Sequence, residues 1–254
     1  IKNKVVNPKL YDSIVPYIDI EIKANAIYKN RLMMLDLINN NNWKRPVYFS
    51  GGAFDPEDYL WMKDYLQLEG MVYKLVPIKT AFDKDSGQMD MGRIDTDNMY
   101  TKVMAWDWGN SDSNKIYHDP ETRRESLTYR MNLARLMKQL IAEGKIDKAK
   151  KVIELSMTKM PLDKFGYYSL VEPFAKGYYD VGEKAKAHAL LEKLINKYHE
   201  NLNYYAKLIP SEQSDVSIEI ITDIERYRSL LTVMQESNDT EYYNSSKKTF
   251  NTYI

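Results

Sequence analysis

The 254-residue chain contains no cysteine, which removes disulfides, thiolate metal sites and cysteine nucleophiles and leaves the redox compartment open. Histidine is nearly absent as well, with 3 residues. His188 and His199 lie eleven positions apart in one helical stretch, about 16 Å along a helix axis and too far to share a metal. His118 adjoins a helix-start signal and reads as a surface or capping residue. Net charge is missing: 36 Lys plus Arg balance 36 Asp plus Glu, so no field draws the chain toward nucleic acid. No run of 18 apolar residues occurs, which excludes a transmembrane helix within these residues. Gly-rich phosphate loops, nucleophile elbows and metalloprotease helix motifs are lacking. Asp83, Asp85 and Gly87 hint at a calcium loop, but Ile94 stands where a bidentate glutamate is needed. No catalytic residue, metal ligand or cofactor is expected from what remains.

What is present suggests two domains. The chain begins at Ile1 with no secretory signal and reads as a piece of a longer protein. Residues 15–22 alternate, with Ile18, Ile20 and Ile22 opposite Asp19 and Glu21, the pattern of a half-buried strand. Residues 30–40 place Leu32, Met33, Leu35, Leu37 and Ile38 mostly within one helical arc. Residues 45–50 and 71–78, β-branched and aromatic, read as strands. Gly51 and Gly52 end the first of these, and Asp55, Pro56, Glu57 and Asp58 then signal a helix start. Residues 81–92 read as an exposed loop, and residues 95–117 as helix followed by an irregular connection. Asp119, Pro120 and Glu121 repeat the cap-and-proline signature and open a long helical region.

Within that region two stretches align, EGKIDKAKKVIELSM from Glu143 and VGEKAKAHALLEKLI from Val181. Gly144 falls over Gly182 and Ala149 over Ala187, a period of 38 residues. Tetratricopeptide units of about 34 residues likewise end their first helix at glycine and pair helices at a small residue. In the first unit Leu133, Leu136 and Leu140 oppose Ile146, Ala149, Val152, Ile153 and Ser156, and Pro161 closes it. In the second, Val171, Phe174, Ala175 and Tyr178 oppose Ala187, Leu190, Leu191, Leu194 and Ile195. A third helix with Ile220, Ile224, Tyr227, Leu231 and Met234 turns at Asn238 and Asp239 into a polar final segment, a capping pair. The expected fold is therefore α+β: a small mixed α/β domain over residues 1–115, then an all-α tetratricopeptide-like hairpin domain over residues 116–254.

Such stacks present a concave face that takes peptides, so a protein or peptide partner is the expectation. With two full units the repeats serve equally as a brace for the first domain, and both readings stand. Candidate binding aromatics are Trp106 and Trp108, which flank Asp107 at a spacing that would stack a sugar, together with Tyr167, Tyr178 and Tyr204. The carboxylates Asp55, Glu57, Asp58, Asp95 and Asp97 supply the rival reading, a soluble carbohydrate-active or hydrolytic enzyme with a carboxylate site between the domains.

Several stretches, NNNWKRPVYFS (40–50), DYLQLEGMVYKLVPIK (64–79), GRIDTDNMY (92–100), WGN (108–110) and YYDVGEKAKA (178–187), carry a family resemblance. Together they resemble the soluble C-terminal region of a bacterial family of multi-pass membrane proteins of unknown function described as protein O-mannosyltransferase-like. The resemblance implies an integral membrane glycosyltransferase as the parent, with this region following its last membrane span on the extracytoplasmic, periplasmic side. The catalytic carboxylate of such enzymes lies near their N-terminus, so none is carried over to a position here. The resemblance leaves this region the recognition of a polypeptide or glycan acceptor, the holding of a partner subunit, or support of the membrane part. Contact with the membrane would come only through an upstream anchor.

Overall fold

A computed structural model of the chain describes residues 3, 5–22, 26–50, 60–80, 91–166 and 168–253. The fold is α+β, and the chain divides into two compact units, Ile1–Asp107 and Trp108–Ile254.

The first unit is built on a four-stranded sheet in the order β1-β3-β2-β4, comprising β1 (Tyr48–Ser50), β2 (Leu66–Glu69), β3 (Val72–Leu75) and β4 (Arg93–Ile94). β3 pairs antiparallel with β1 and β2, while β2 and β4 run parallel. β2 and β3 form a hairpin across Gly70 and Met71. Gly70 holds φ at +76°, and a Cβ there would meet the Trp106 ring at 2.8 Å, so backbone conformation and packing both require glycine.

Side-chain alternation splits this sheet into two faces. Leu66 and Leu75 join Met62, Tyr65 and Met91 in an apolar core, covered by Met34 and Ile38 of α1 (Lys29–Asn41) and by Val15, Ile18 and Ile20. Two expectations are corrected here. Residues 15–22 form no strand: burial alternates over 18–22, Val15, Ile18 and Ile20 pack over the core, and Val15 N donates to the Pro77 carbonyl at 2.9 Å. In α1 the side turned inward carries Arg31, Met34 and Ile38, one helical face, whereas Leu32, Met33 and Leu37 are exposed. The helix start anticipated at Asp55 to Asp58, the glycines before it, and most of the loop at 81–92 with Asp83, Asp85 and Gly87 lie outside the described residues. Strand β2, absent from the sequence reading, was hidden because LQLE carries two polar residues that the fold nevertheless buries. α2 (Thr96–Met104) packs against β2, its start capped by Asp95 Oδ1 on Asn98 N at 3.2 Å.

Every regular element among the described residues of the second unit is a helix. Asp119 caps α3 (Pro120–Ala142) through Thr122 N at 2.8 Å, as its signature anticipates. α3 pairs with α4 (Ile146–Lys159); after the short α5 (Leu162–Phe165), α6 (Glu172–Asp180) pairs with α7 (Lys184–Tyr205). A short α8 (Pro210–Asp215) leads to α9 (Ser217–Glu236), which pairs with α10 (Thr240–Phe250).

All three pairs reverse through the same turn. Gly144, Gly182 and Asn238 take φ of 71°, 79° and 57°. The next residue's N–H reaches back over the turn, from Lys145 to Leu140 O, Glu183 to Tyr178 O and Asp239 to Met234 O, at 2.8, 2.8 and 3.0 Å. This is the Schellman closure of a helix C-terminus. Ala149 and Ala187 are fully buried where the helices approach, and the apolar rows opposite them are buried apart from Ile146 and Ile195, which are half-buried. α6 also packs on α3, α4 and α9, so consecutive pairs share their seams. The segment at 108–118 belongs to this unit and is lashed to the end of the first pair. Ser111 Oγ donates to the Lys159 carbonyl at 2.6 Å, and Lys159 Nζ meets Asp112 at 3.2 Å.

Gly177 lets α6 approach the first pair: a Cβ there would collide with the buried Met137 side chain, with Ile153 Cδ1 behind it at 3.3 Å. Helix propensity favours leucine over glycine at such a position, yet Gly177→Leu should destabilise the chain by about 1–3 kcal/mol through overpacking. Urea denaturation measures it, and shortening Met137 to alanine in the same chain should recover part of the loss.

Candidate functional site

The polar face of the sheet in the first unit gathers the densest set of charged and hydrogen-bonding groups there. Register places Tyr48 of β1, Lys74 of β3, Gln67 of β2 and Arg93 of β4 in one row, with Glu69 on the same face of β2. Asn98 and Lys102, one turn apart on α2, reach the row from above. The Glu69 carboxylate is the hub. It accepts from Gln67 Nε2 at 2.8 Å, Asn98 Nδ2 at 2.7 Å, the Tyr48 hydroxyl at 3.3 Å and the Lys102 ammonium, and Lys74 Nζ lies at 3.6 Å. The two ammonium groups sit 5.8 and 5.7 Å from the Tyr48 ring centroid.

Burial would raise the Glu69 pKa, but the Lys102 hydrogen bond and the Lys74 charge outweigh it and hold the carboxyl below its ordinary 4.5. The Tyr48 hydroxyl moves the other way, pushed up by burial and by the neighbouring Glu69 charge. Beside this cluster opens a cavity of about 480 Å3, lined by Val5, Val6, Asn7 and Pro8 together with Tyr48, Gln67, Lys74 and Lys102. Asp95 and Asn98 close it, and Asn7 Nδ2 donates to Asp95 Oδ2 at 3.3 Å. Asp95, a carboxylate of the rival enzyme reading, is thus engaged as a helix cap and an amide partner.

The second unit carries a smaller cavity of about 270 Å3 on its hairpins. Met157 of α4, Leu162 of α5, Tyr178 of α6 and Leu190 of α7 line it, with Lys186 and Lys193 among its walls. Lys186 Nζ meets Glu154 at 2.7 Å and lies 6.0 Å from the Tyr178 ring centroid.

A polar clasp joins the pairs in the same register twice. Lys150, six residues after Gly144, meets Glu183, one residue after Gly182, at 2.9 Å. His188, six residues after Gly182, meets Asp239, one residue after Asn238, and Asp239 also accepts from Tyr179 at 2.8 Å and Lys184 at 2.9 Å. Asp239 is buried, which alone would raise its pKa, but its bonds to His188, Lys184 and Tyr179 hold it far below the usual carboxylate range. Arg130, fully buried, donates to the Met160 carbonyl at 2.8 Å and to the Gly166 carbonyl, and desolvation lowers its pKa to about 10.

The candidate aromatics fall in different places. Trp106 rests on Gly70 in the first unit, and Trp108 belongs to the second, 5.7 Å from Tyr129 between ring centroids. Tyr178 lines the smaller cavity, Tyr204 is 61% exposed near the end of α7, and Tyr167 lies outside the described residues. His118, expected at the surface, is buried against Phe165 and bound to the Ser111 carbonyl at 2.8 Å. Among the described residues no three His, Asp or Glu side chains gather as a metal site. Sequence reasoning missed Gln67, Glu69, Lys74, Asn98 and Lys102. The alternation of LQLE across a glycine from VYKL was the signal that would have placed the first three on one face.

Residues 1–98 match a family model described as TMEM260-associated domain 2. The match spans less than half of the chain, takes in Tyr48, Gln67, Glu69, Lys74, Arg93, Asp95 and Asn98, and ends inside α2 before Lys102. It gives this part of the chain the context of a membrane-associated protein. No helix among the described residues is long and apolar enough to cross a membrane. No curated protein and no solved structure matches the chain.

Because Glu69 titrates lower in the fold than when free, its ion pairs stabilise the protein above pH 4.5, and that contribution is lost as the pH falls through the lowered value. Glu69→Gln should cost about 1–3 kcal/mol at pH 7, less than for a fully buried pair because Lys102 stays part-exposed. Urea denaturation across pH should show the gap between the two proteins narrowing below 4.5.

Proposed function

We propose that the chain is a non-catalytic interaction or acceptor-recognition module of a larger membrane protein, working on the extracytoplasmic, periplasmic side. The observation that carries the reading is the stack of helical pairs, with its cavity at Tyr178, Leu190, Met157 and Leu162. We read these pairs as tetratricopeptide-like, since glycine turns and buried alanines recur at matching positions. Such stacks reuse one hairpin to build an extended surface for a polypeptide.

The occupant is a polypeptide segment that inserts an apolar side chain between Tyr178 and Leu190. Its acidic neighbours face Lys193 and Lys186. The protein O-mannosyltransferase-like resemblance supports a parent that modifies polypeptides, with this module holding a polypeptide or glycan acceptor. The match of residues 1–98 to a domain associated with a membrane protein agrees with that setting. Nucleic acid has no place in the reading, given the balanced charge.

The test is a binding screen of the full chain against arrayed peptides from exported proteins. Peptides with an apolar residue next to acidic ones should bind, and Lys193→Glu, at an exposed position of the cavity wall, should weaken them by about tenfold or more. Binding that ignores Lys193→Glu, or no binding at all, leaves the stack as a brace and overturns the reading.

A further inference from the structure

The larger cavity of the first unit is lined by side chains that the hairpin reading does not use. Three charged groups line it, Lys74, Lys102 and Asp95, and the buried Glu69 carboxylate lies against both lysines, so their ammonium charges are already partnered. Glu69 is ionised and turned toward both lysines, and Asp95 faces an amide and the start of α2. An anion entering here would have to compete with Glu69 for the two ammonium groups and would lie beside Asp95. A cation would meet two ammonium groups. A strongly charged ligand therefore gains little from this wall.

The remaining lining suits a neutral polar ring. Asn7, Gln67 and Asn98 present carboxamides, each both donor and acceptor. Lys102 Nζ has three donor positions and stays 40% exposed at its side chain while bonding Glu69. Val5, Val6 and Pro8 supply apolar lining, and Tyr48, 43% exposed as a residue, supplies an aromatic ring. Paired donors and acceptors around an aromatic face match vicinal hydroxyls and the C–H face of a sugar. At about 480 Å3 the cavity lies within the usual range of small-molecule sites, about 300–1,000 Å3.

We propose that this cavity binds a neutral carbohydrate, one hexose unit or a short glycan, with Tyr48 as the stacking ring and Asn98, Gln67 and Lys102 as hydrogen-bonding groups. The inference deepens the glycan half of the acceptor-recognition reading and rests on it only there, because the polypeptide cavity lies on the other unit.

Saturation-transfer NMR on the full chain, with the methyl glycosides of glucose, galactose and mannose at millimolar concentration, tests it. Glucuronate and inorganic phosphate serve as anionic probes. At least one neutral glycoside should show transfer, and Lys102→Gln and Asn7→Ala should each weaken it by about tenfold. Asn7 lies apart from the Glu69 hub, so its variant reports on the cavity even if Lys102→Gln unfolds. Lys193→Glu should leave glycoside binding unchanged, which separates failure here from failure of the polypeptide reading. Transfer to the anions alone, no transfer to any glycoside, or transfer that survives both variants would each overturn the proposal.

Discussion

Each helical pair of the second unit folds back where the chain passes through a left-handed residue, and in the first two pairs the helices then meet at a buried alanine. Three such reversals, at Gly144, Gly182 and Asn238, organise the helical unit. Everything else there follows from them. The apolar rows of α3, α6 and α9 meet those of α4, α7 and α10 because each turn fixes the phase of the helix that leaves it. The polar clasps are a consequence of the same phase: with the turns in register, the residue one place after a turn arrives beside the residue six places after the turn before it. Lys150 with Glu183 and His188 with Asp239 are two instances of that geometry. They differ in weight, for Asp239 is buried among three donors while Glu183 stays part-exposed.

The sheet unit obeys a different constraint, the two-residue period of a strand. With Leu66 and Leu75 committed to the core, Gln67, Glu69 and Lys74 must share the opposite face, and α2 brings Asn98 and Lys102 down onto it. A buried carboxylate is tolerated there because Tyr48, Gln67, Asn98 and Lys102 all turn donors toward it. The cavity beside it inherits two ammonium groups already partnered by Glu69, and that partnering, more than its size, decides what chemistry suits it.

Much of the helical unit could be read from the residues because its determinants are local. Asp119 with Pro120 marks a helix start on any chain, and glycine at 144 and 182 marks a reversal. The third reversal was less visible, since asparagine replaces glycine and Tyr243 stands where the other pairs carry alanine. Its role as a closing pair was nonetheless apparent from α9. The candidate site was not legible, because it depends on pairing. Nothing in the sequence says that Gln67 lies between Lys74 and Arg93, and burial of Glu69 becomes affordable only once α2 supplies donors. Residues 15–22 fail in the opposite way: alternation promised a ladder, but the same half-buried periodicity serves an extended segment lying across a core.

The central claim is that the three helical pairs form one stack coupled through shared seams and the buried Asp239 clasp. Native-state amide hydrogen exchange on the full chain measures that coupling directly. The interior amides of α3, α4, α6, α7 and α9 should open together with a common free energy, and Asp239→Asn should lower protection in α6 and α7 as well as in α9. Should α9 and α10 exchange on their own while α3 and α4 stay protected, with Asp239→Asn felt only at its own turn, the account of a single stack would be contradicted.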